Sequence, residues 1–128
     1  MSAQEATIAN TILCVSDQDV VLRMRKLLLE HEGFRVLTAI GEKAAEQCLR
    51  GEQVGLVLLD YGVAEAQRVA ARIKALNPGL RIVLISFSPS LPRSLTGLVD
   101  AWVSKTRSPD VLLRKIEQLL GKRGESRA

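Results

Sequence analysis

Apolar residues in this chain arrive in short bursts: TILCV at 11–15, FRVLT at 34–38, GLVLL at 55–59, RIVLI at 81–85 and the weaker AWV at 101–103. Between the bursts they recur at helical spacing. Strand-length runs rich in Val, Ile and Leu suit strands buried on both faces, and their alternation with amphipathic segments is the pattern of βαβ units on a mainly parallel sheet. The predicted fold class is α/β, a small doubly wound sheet with helices on both faces.

The intervening segments carry their own punctuation. Between Asp17 and His31, Val20, Met24, Leu27 and Leu28 form an apolar stripe, with Arg23, Arg25 and Lys26 largely outside it. GEKAAEQCLRG (41–51) puts Ala44, Ala45, Cys48 and Leu49 on one face and Gly at both ends. In AEAQRVAARIKALNPG (64–79), Ala66, Val69, Ile73 and Leu76 fall at helical spacing before Asn77-Pro78-Gly79 stops the helix. SPDVLLRKIEQLLG (108–121) has Ser108 as N-cap, Pro109 in the first turn, Asp110 against the dipole and Gly121 at the end. SFSPSLPRSLTGL (86–98) breaks the pattern, because Pro89 and Pro92 forbid a long regular helix before about residue 92. The helix after the fourth strand is therefore expected to be short or irregular.

Composition narrows the function. A chain of 128 residues suits one domain, and 47% hydrophobic with 25% charged residues is ordinary for a globular protein. At 3% aromatic there is no stacking platform for single-stranded nucleic acid. The formal charge is +4, but GKRGESRA at 121–128 holds three basic groups and one acid, so half the excess lies in that segment. The other Lys and Arg are scattered as on solvated helix faces, which argues against direct nucleic-acid binding. No apolar run reaches the length of a membrane span, and MSAQEATIAN lacks the basic-then-apolar order of a signal peptide, so a cytoplasmic location without membrane contact is the default. Cys14 and Cys48, with no CxxC and no His cluster, read as small buried hydrophobes, and His31 as a cation near a helix end. The expected organisation is a flexible N-terminal segment at 1–10, one domain at 11–120 and a basic flexible tail at 121–128.

In a doubly wound sheet the functional crevice lies at the carboxyl ends of the strands. There the sequence puts SDQD (Ser16 to Asp19), Asp60, Ser86, and Ser104 with Lys105. Each alone has a plain use, as a helix cap, a turn or a solvated charge. Together they make a coherent chemistry. Two carboxylates at an open rim repel, and Mg²⁺ relieves that repulsion while keeping several waters. A carboxylate so held is a nucleophile toward a phosphoryl group; a Lys neutralises transferred charge and a hydroxyl donates to a phosphoryl oxygen.

Over roughly residues 11–120 the chain resembles the receiver domain of two-component response regulators, as an atypical member. The stretches that carry the resemblance are ILCVSDQD, LVLLD, IVLIS and AWVSKTRSPDVLLRKI, in that order. The resemblance implies a flavodoxin-like sheet with strand order 2-1-3-4-5. It also implies that Asp60 is the phosphoacceptor and that Mg²⁺ is held by Asp17, Asp60 and the backbone carbonyl of Gly62, with Ser16 reaching it weakly through water. Ser86 is the implied switch hydroxyl, Lys105 the phosphate-pairing lysine, and Trp102 stands where the family has a switch Tyr or Phe. The implied partners are a histidine kinase or phosphotransfer protein and a downstream protein target, with a homodimer left open. No enzymatic activity is implied beyond the domain's own phosphorylation and dephosphorylation.

The sequence also departs from that pattern. Ser16 replaces an acid, so metal affinity should fall. YGVAEAQ lacks the usual Met-Pro turn and Gly-rich helix start after the phosphoacceptor. The segment from Ser86 to Lys105 is short and interrupted by proline, and Phe87 stands where a small residue usually admits phosphate. Thr106 replaces a common Pro after the lysine. These departures keep a second reading open, a degenerate receiver that acts as a phosphorylation-independent interaction module. A flavodoxin-like cofactor binder is the third, disfavoured because the first turn has no Gly- or Ser/Thr-rich phosphate cradle.

Overall fold

Residues 2–120 are described by a computed structural model. Its strands are β1 (Thr11–Ser16), β2 (Arg35–Ile40), β3 (Leu56–Asp60), β4 (Arg81–Ser86) and β5 (Ala101–Ser104). Its helices are α1 (Ala3–Ala9), α2 (Asp19–His31), α3 (Gly41–Gly51), α4 (Val63–Leu76) and α5 (Pro109–Leu120). All neighbouring strands pair in parallel, in the order β2-β1-β3-β4-β5. The alternation in the sequence thus produces the expected doubly wound sheet.

The central strands β1 and β3 are buried at every residue. Alternate side chains feed two cores. Leu13, Val15, Val57, Leu59, Ile82 and Leu84 pack with Ala66, Val69 and Ile73 of α4 on one face. Ile12, Cys14, Leu56, Leu58, Val83 and Ile85 pack with Leu22 and Leu29 of α2 and Leu112 and Ile116 of α5 on the other. Register then brings the strand ends level. Ser16 pairs with Asp60, and Ser86 with Ser104, so the candidate residues lie along one edge of the sheet.

Two expectations change. Residues 3–9, read as part of a flexible lead-in, form α1. Ser2 and Glu5 make a capping box in which the Glu5 N–H donates to Ser2 Oγ and the Ser2 N–H donates to Glu5 Oε1, each at 3.1 Å. The end of α1 packs so tightly on Gly55 that a β-carbon there would sit 2.8 Å from the Ile8 carbonyl oxygen. The expected tail at 121–128 lies outside the described residues.

The second change is the facing of α2. Val20, Met24 and Leu27 are 67%, 66% and 71% exposed, while Leu22 and Leu29 are buried. Arg25, expected outside the stripe, is half-buried on the inward side. The helix is apolar nearly all round between Val20 and Leu29, so periodicity alone could not choose its inward face.

The helix expected after β4 is reduced to one 3₁₀ turn, Arg93–Leu95, whose Leu95 is fully buried. No helix among the described residues is long and apolar enough to cross a membrane. Cys14 is buried in the α2–α5 core, and desolvation pushes its thiol up to about 12, whereas Cys48 is half-buried. A thiol reagent at mildly alkaline pH should therefore label Cys48 alone in the native protein and both cysteines in denaturant, as read by intact mass. Equal labelling of both in the native state would contradict this core.

Candidate functional site

Asp60 ends β3 on the same side as Leu56 and Leu58, where α2 and α5 cover the sheet. Its side chain is only 6% exposed, and a carboxylate there needs compensation. Two cations supply it. Arg25 reaches in from the middle of α2 and its Nη2 donates to Oδ2 at 2.5 Å; the Lys105 ammonium pairs with Oδ1. Both cations are about one-fifth exposed, 20% for Arg25 and 22% for Lys105, so the cluster is shielded but not dry.

Lys105 is held by its own backbone. Its N–H donates to the Ser86 carbonyl at 3.0 Å, tying the turn after β5 to the end of β4. Its ammonium also stands 5.2 Å from the centre of the Phe87 ring. Phe87 is 73% exposed and forms a wall of the site instead of filling it. With Asp60, Arg25, Lys105, Met24 and Leu112 it lines a cleft of about 600 Å³ between α2, the sheet edge and the start of α5.

The other sequence candidates are placed differently. Ser16 is buried opposite Asp60, and its Oγ accepts the Gln18 N–H at 3.1 Å, shaping the turn into α2. Asp17 is exposed and close to Tyr61, whose hydroxyl is pushed up to about 12, first by burial and then by the Asp17 charge. That hydroxyl is buried without a hydrogen-bond partner of ordinary geometry. Ser86 Oγ accepts the Ser88 N–H at 3.1 Å and so opens the following loop. Trp102 pairs in register with Leu84 and packs against the α4-side core, its indole N–H buried and unpartnered. Gly62 is the N-cap of α4, and its carbonyl accepts the Ala66 N–H at 2.9 Å.

The structure therefore joins Asp60 and Lys105 at the sheet edge where the sequence puts both, and adds Arg25, expected largely outside the apolar stripe of α2. A signal for it existed: Arg25 lies three residues after Leu22 and four before Leu29, on the face those buried leucines define. No hydrogen bond or ion pair joins Ser86 or Trp102 to Asp60 through their side chains among the described contacts.

As a metal site the arrangement fits poorly as it stands. A divalent ion wants free carboxylate oxygens, but both oxygens of Asp60 are engaged by cations and the Gly62 carbonyl is engaged by α4. Ser16 brings no charge, and no group of three His, Cys, Asp or Glu side chains among the described residues is placed to hold a metal. As a nucleophile site it fits better. A carboxylate at the mouth of a cleft, between two cations able to take up new negative charge, is suited to attack on phosphorus.

Comparison with known proteins bears on the fold. No family model matches the sequence. The chain is 26% identical over 119 residues to the Mycobacterium tuberculosis "Probable transcriptional regulatory protein TcrX", covering 89% of this chain but 51% of TcrX. It thus spans about half the length of that relative. A response regulator receiver domain protein (CheY-like) from Methanospirillum hungatei JF-1 superposes with TM-score 0.78 at 27% identity, covering 91% of this chain and 98% of that one. A structure of histidine kinase ThkA in complex with response regulator TrrA contains a chain matching with TM-score 0.79 at 26% identity, over 88% of this chain and 99% of that one. TrrA, from Thermotoga maritima, has also been solved in complex with Mg(2+)-BeF.

Proposed function

We propose that this chain is a response regulator receiver domain that accepts a phosphoryl group on Asp60 from a histidine kinase or phosphotransfer protein. The observation that carries the reading is the Asp60–Lys105 pair at the mouth of the α2–α5 cleft. One Asp60 oxygen attacks the phosphorus of a phosphohistidine. The P–N bond breaks, its electron pair stays on the imidazole, which takes up a proton, and an acyl phosphate remains on Asp60. Lys105 and Arg25 can follow the negative charge from the carboxylate to the new phosphoryl oxygens. Ser86 Oγ would leave Ser88 to donate to the phosphoryl group, loosening the loop that leads to the 3₁₀ turn. Trp102, which joins the same core as that loop's Leu91 and Leu95, would report the change to a downstream protein.

A phosphodonor protein must approach this cleft, and the surface beside it is the exposed Val20-Met24-Leu27 stripe of α2. Met24 belongs to both. We assign the stripe as the donor's docking face, in keeping with a matched chain found in complex with a histidine kinase. Mg²⁺, if it binds, would draw on Asp17 and share Asp60 with Arg25, and it would supply charge neutralisation; a weak affinity is expected.

The second reading, a phosphorylation-independent interaction module, is favoured by the two cations that already engage both Asp60 oxygens. Intact mass separates the readings. After incubation with acetyl phosphate, or with a phosphorylated donor protein, the wild type should gain one phosphoryl increment and Asp60→Asn none. Absence of the increment from the wild type with either donor would leave the interaction module.

A further inference from the structure

We propose that Arg25 is a resident counter-cation that takes the place of a divalent metal beside Asp60, making the site electrically complete without one. Asp60, at the end of β3, faces two side-chain cations, Arg25 and Lys105. Its negative charge is already more than balanced. A divalent cation added to that cluster would leave it with an excess of three positive charges in a shielded place, where such an excess is costly.

Three features act in the same direction. Ser16 removes an acid from the end of β1, lowering the negative charge that would attract a metal. Arg25 covers Asp60 Oδ2, the oxygen that Lys105 leaves open. The Gly62 carbonyl already accepts the Ala66 N–H at 2.9 Å, closing the first turn of α4. The guanidinium is also suited to the work, since it offers several donors in one plane, matching either a carboxylate or a phosphoryl group. Arg25 is thus a positioning and charge-balancing residue, and its consequence for signalling rests on the phosphoacceptor reading above; its effect on metal binding does not.

The test is a calorimetric Mg²⁺ titration of the full chain, wild type against Arg25→Met and Arg25→Lys, with Asp60→Asn as the control for the site. Met keeps a long flexible stem against the apolar cleft wall, and Lys keeps the charge. The wild type and Arg25→Lys should show no saturable binding at millimolar Mg²⁺. Arg25→Met should bind at least about tenfold more tightly, through Asp60, because the competing charge is gone. Saturable wild-type binding that Arg25→Met leaves unchanged would overturn the proposal, and so would absence of binding in a folded Arg25→Met. Should Arg25→Met fail to fold, tight wild-type binding lost in Asp60→Asn still overturns it, and absence of wild-type binding with metal gained in Arg25→Gln supports it. A parallel phosphorylation by acetyl phosphate should proceed in the wild type with a chelator present. If no phosphorylation occurs with or without metal, the phosphoacceptor reading fails while the calorimetry still decides the role of Arg25.

Discussion

Asp60→Asn should lower the unfolding free energy of this domain by about 2–3 kcal/mol at neutral pH, read from urea denaturation. The sign is the informative part. At a strand edge lined only by acids, removing one carboxylate relieves repulsion and stabilises the fold. Here the carboxylate lies between Arg25 and Lys105, and its removal leaves two cations facing each other across a shielded pocket. Breaking a fully buried pair costs about 3–5 kcal/mol, and partners that are one-fifth exposed bring the figure down. Coupling supplies the internal control. Arg25→Met should be destabilising alone but should cost less in the Asp60→Asn background, since it then removes an unpaired charge. A domain made more stable by Asp60→Asn would show that acid repulsion dominates this edge and that Arg25 is only a surface neighbour.

The sheet was legible because its signals are redundant. Each buried strand is a continuous apolar run, and Gly or Pro marks many of the turns between them. The helix boundaries at Gly41–Gly51 follow directly from those signals. Asp60 and Lys105 were legible because charge immediately after a buried run has few places to go except the sheet edge. The facing of α2 was not, because seven apolar residues among ten, from Val20 to Leu29, satisfy more than one stripe. Only the sheet decides that Leu22 and Leu29 turn inward, and that choice carries Arg25 with them. The short helix α1 was passed over although its capping box is written in SAQE, because a seven-residue helix has little propensity of its own and depends on packing at Gly55. Side-chain direction at Ser86 and Trp102 lay beyond the sequence for another reason. A strand-end hydroxyl can cap its own loop or face the site, and here the Ser88 N–H holds it.

Exchanging Val20 and Leu27 together for Gln should slow phosphoryl transfer from a cognate donor protein by at least about tenfold while leaving stability nearly unchanged. Both residues are more than two-thirds exposed and neither lines the cleft, so the fold loses no core packing and Asp60 keeps its surroundings. Gln keeps the net charge, which separates lost apolar contact from altered electrostatic steering. Acetyl phosphate, too small to need a docking face, provides the comparison: its reaction with the double variant should match the wild type. A protein donor that works equally well on both proteins would place its docking face elsewhere and leave this stripe unexplained. Loss with both donors would mean that α2 had shifted, and with it Arg25, whose pairing with Asp60 depends on the depth at which Leu22 and Leu29 seat that helix. Loss with the protein donor alone would show that the outward face of α2 recognises the donor while the inward face of the same helix pairs Arg25 with the acceptor.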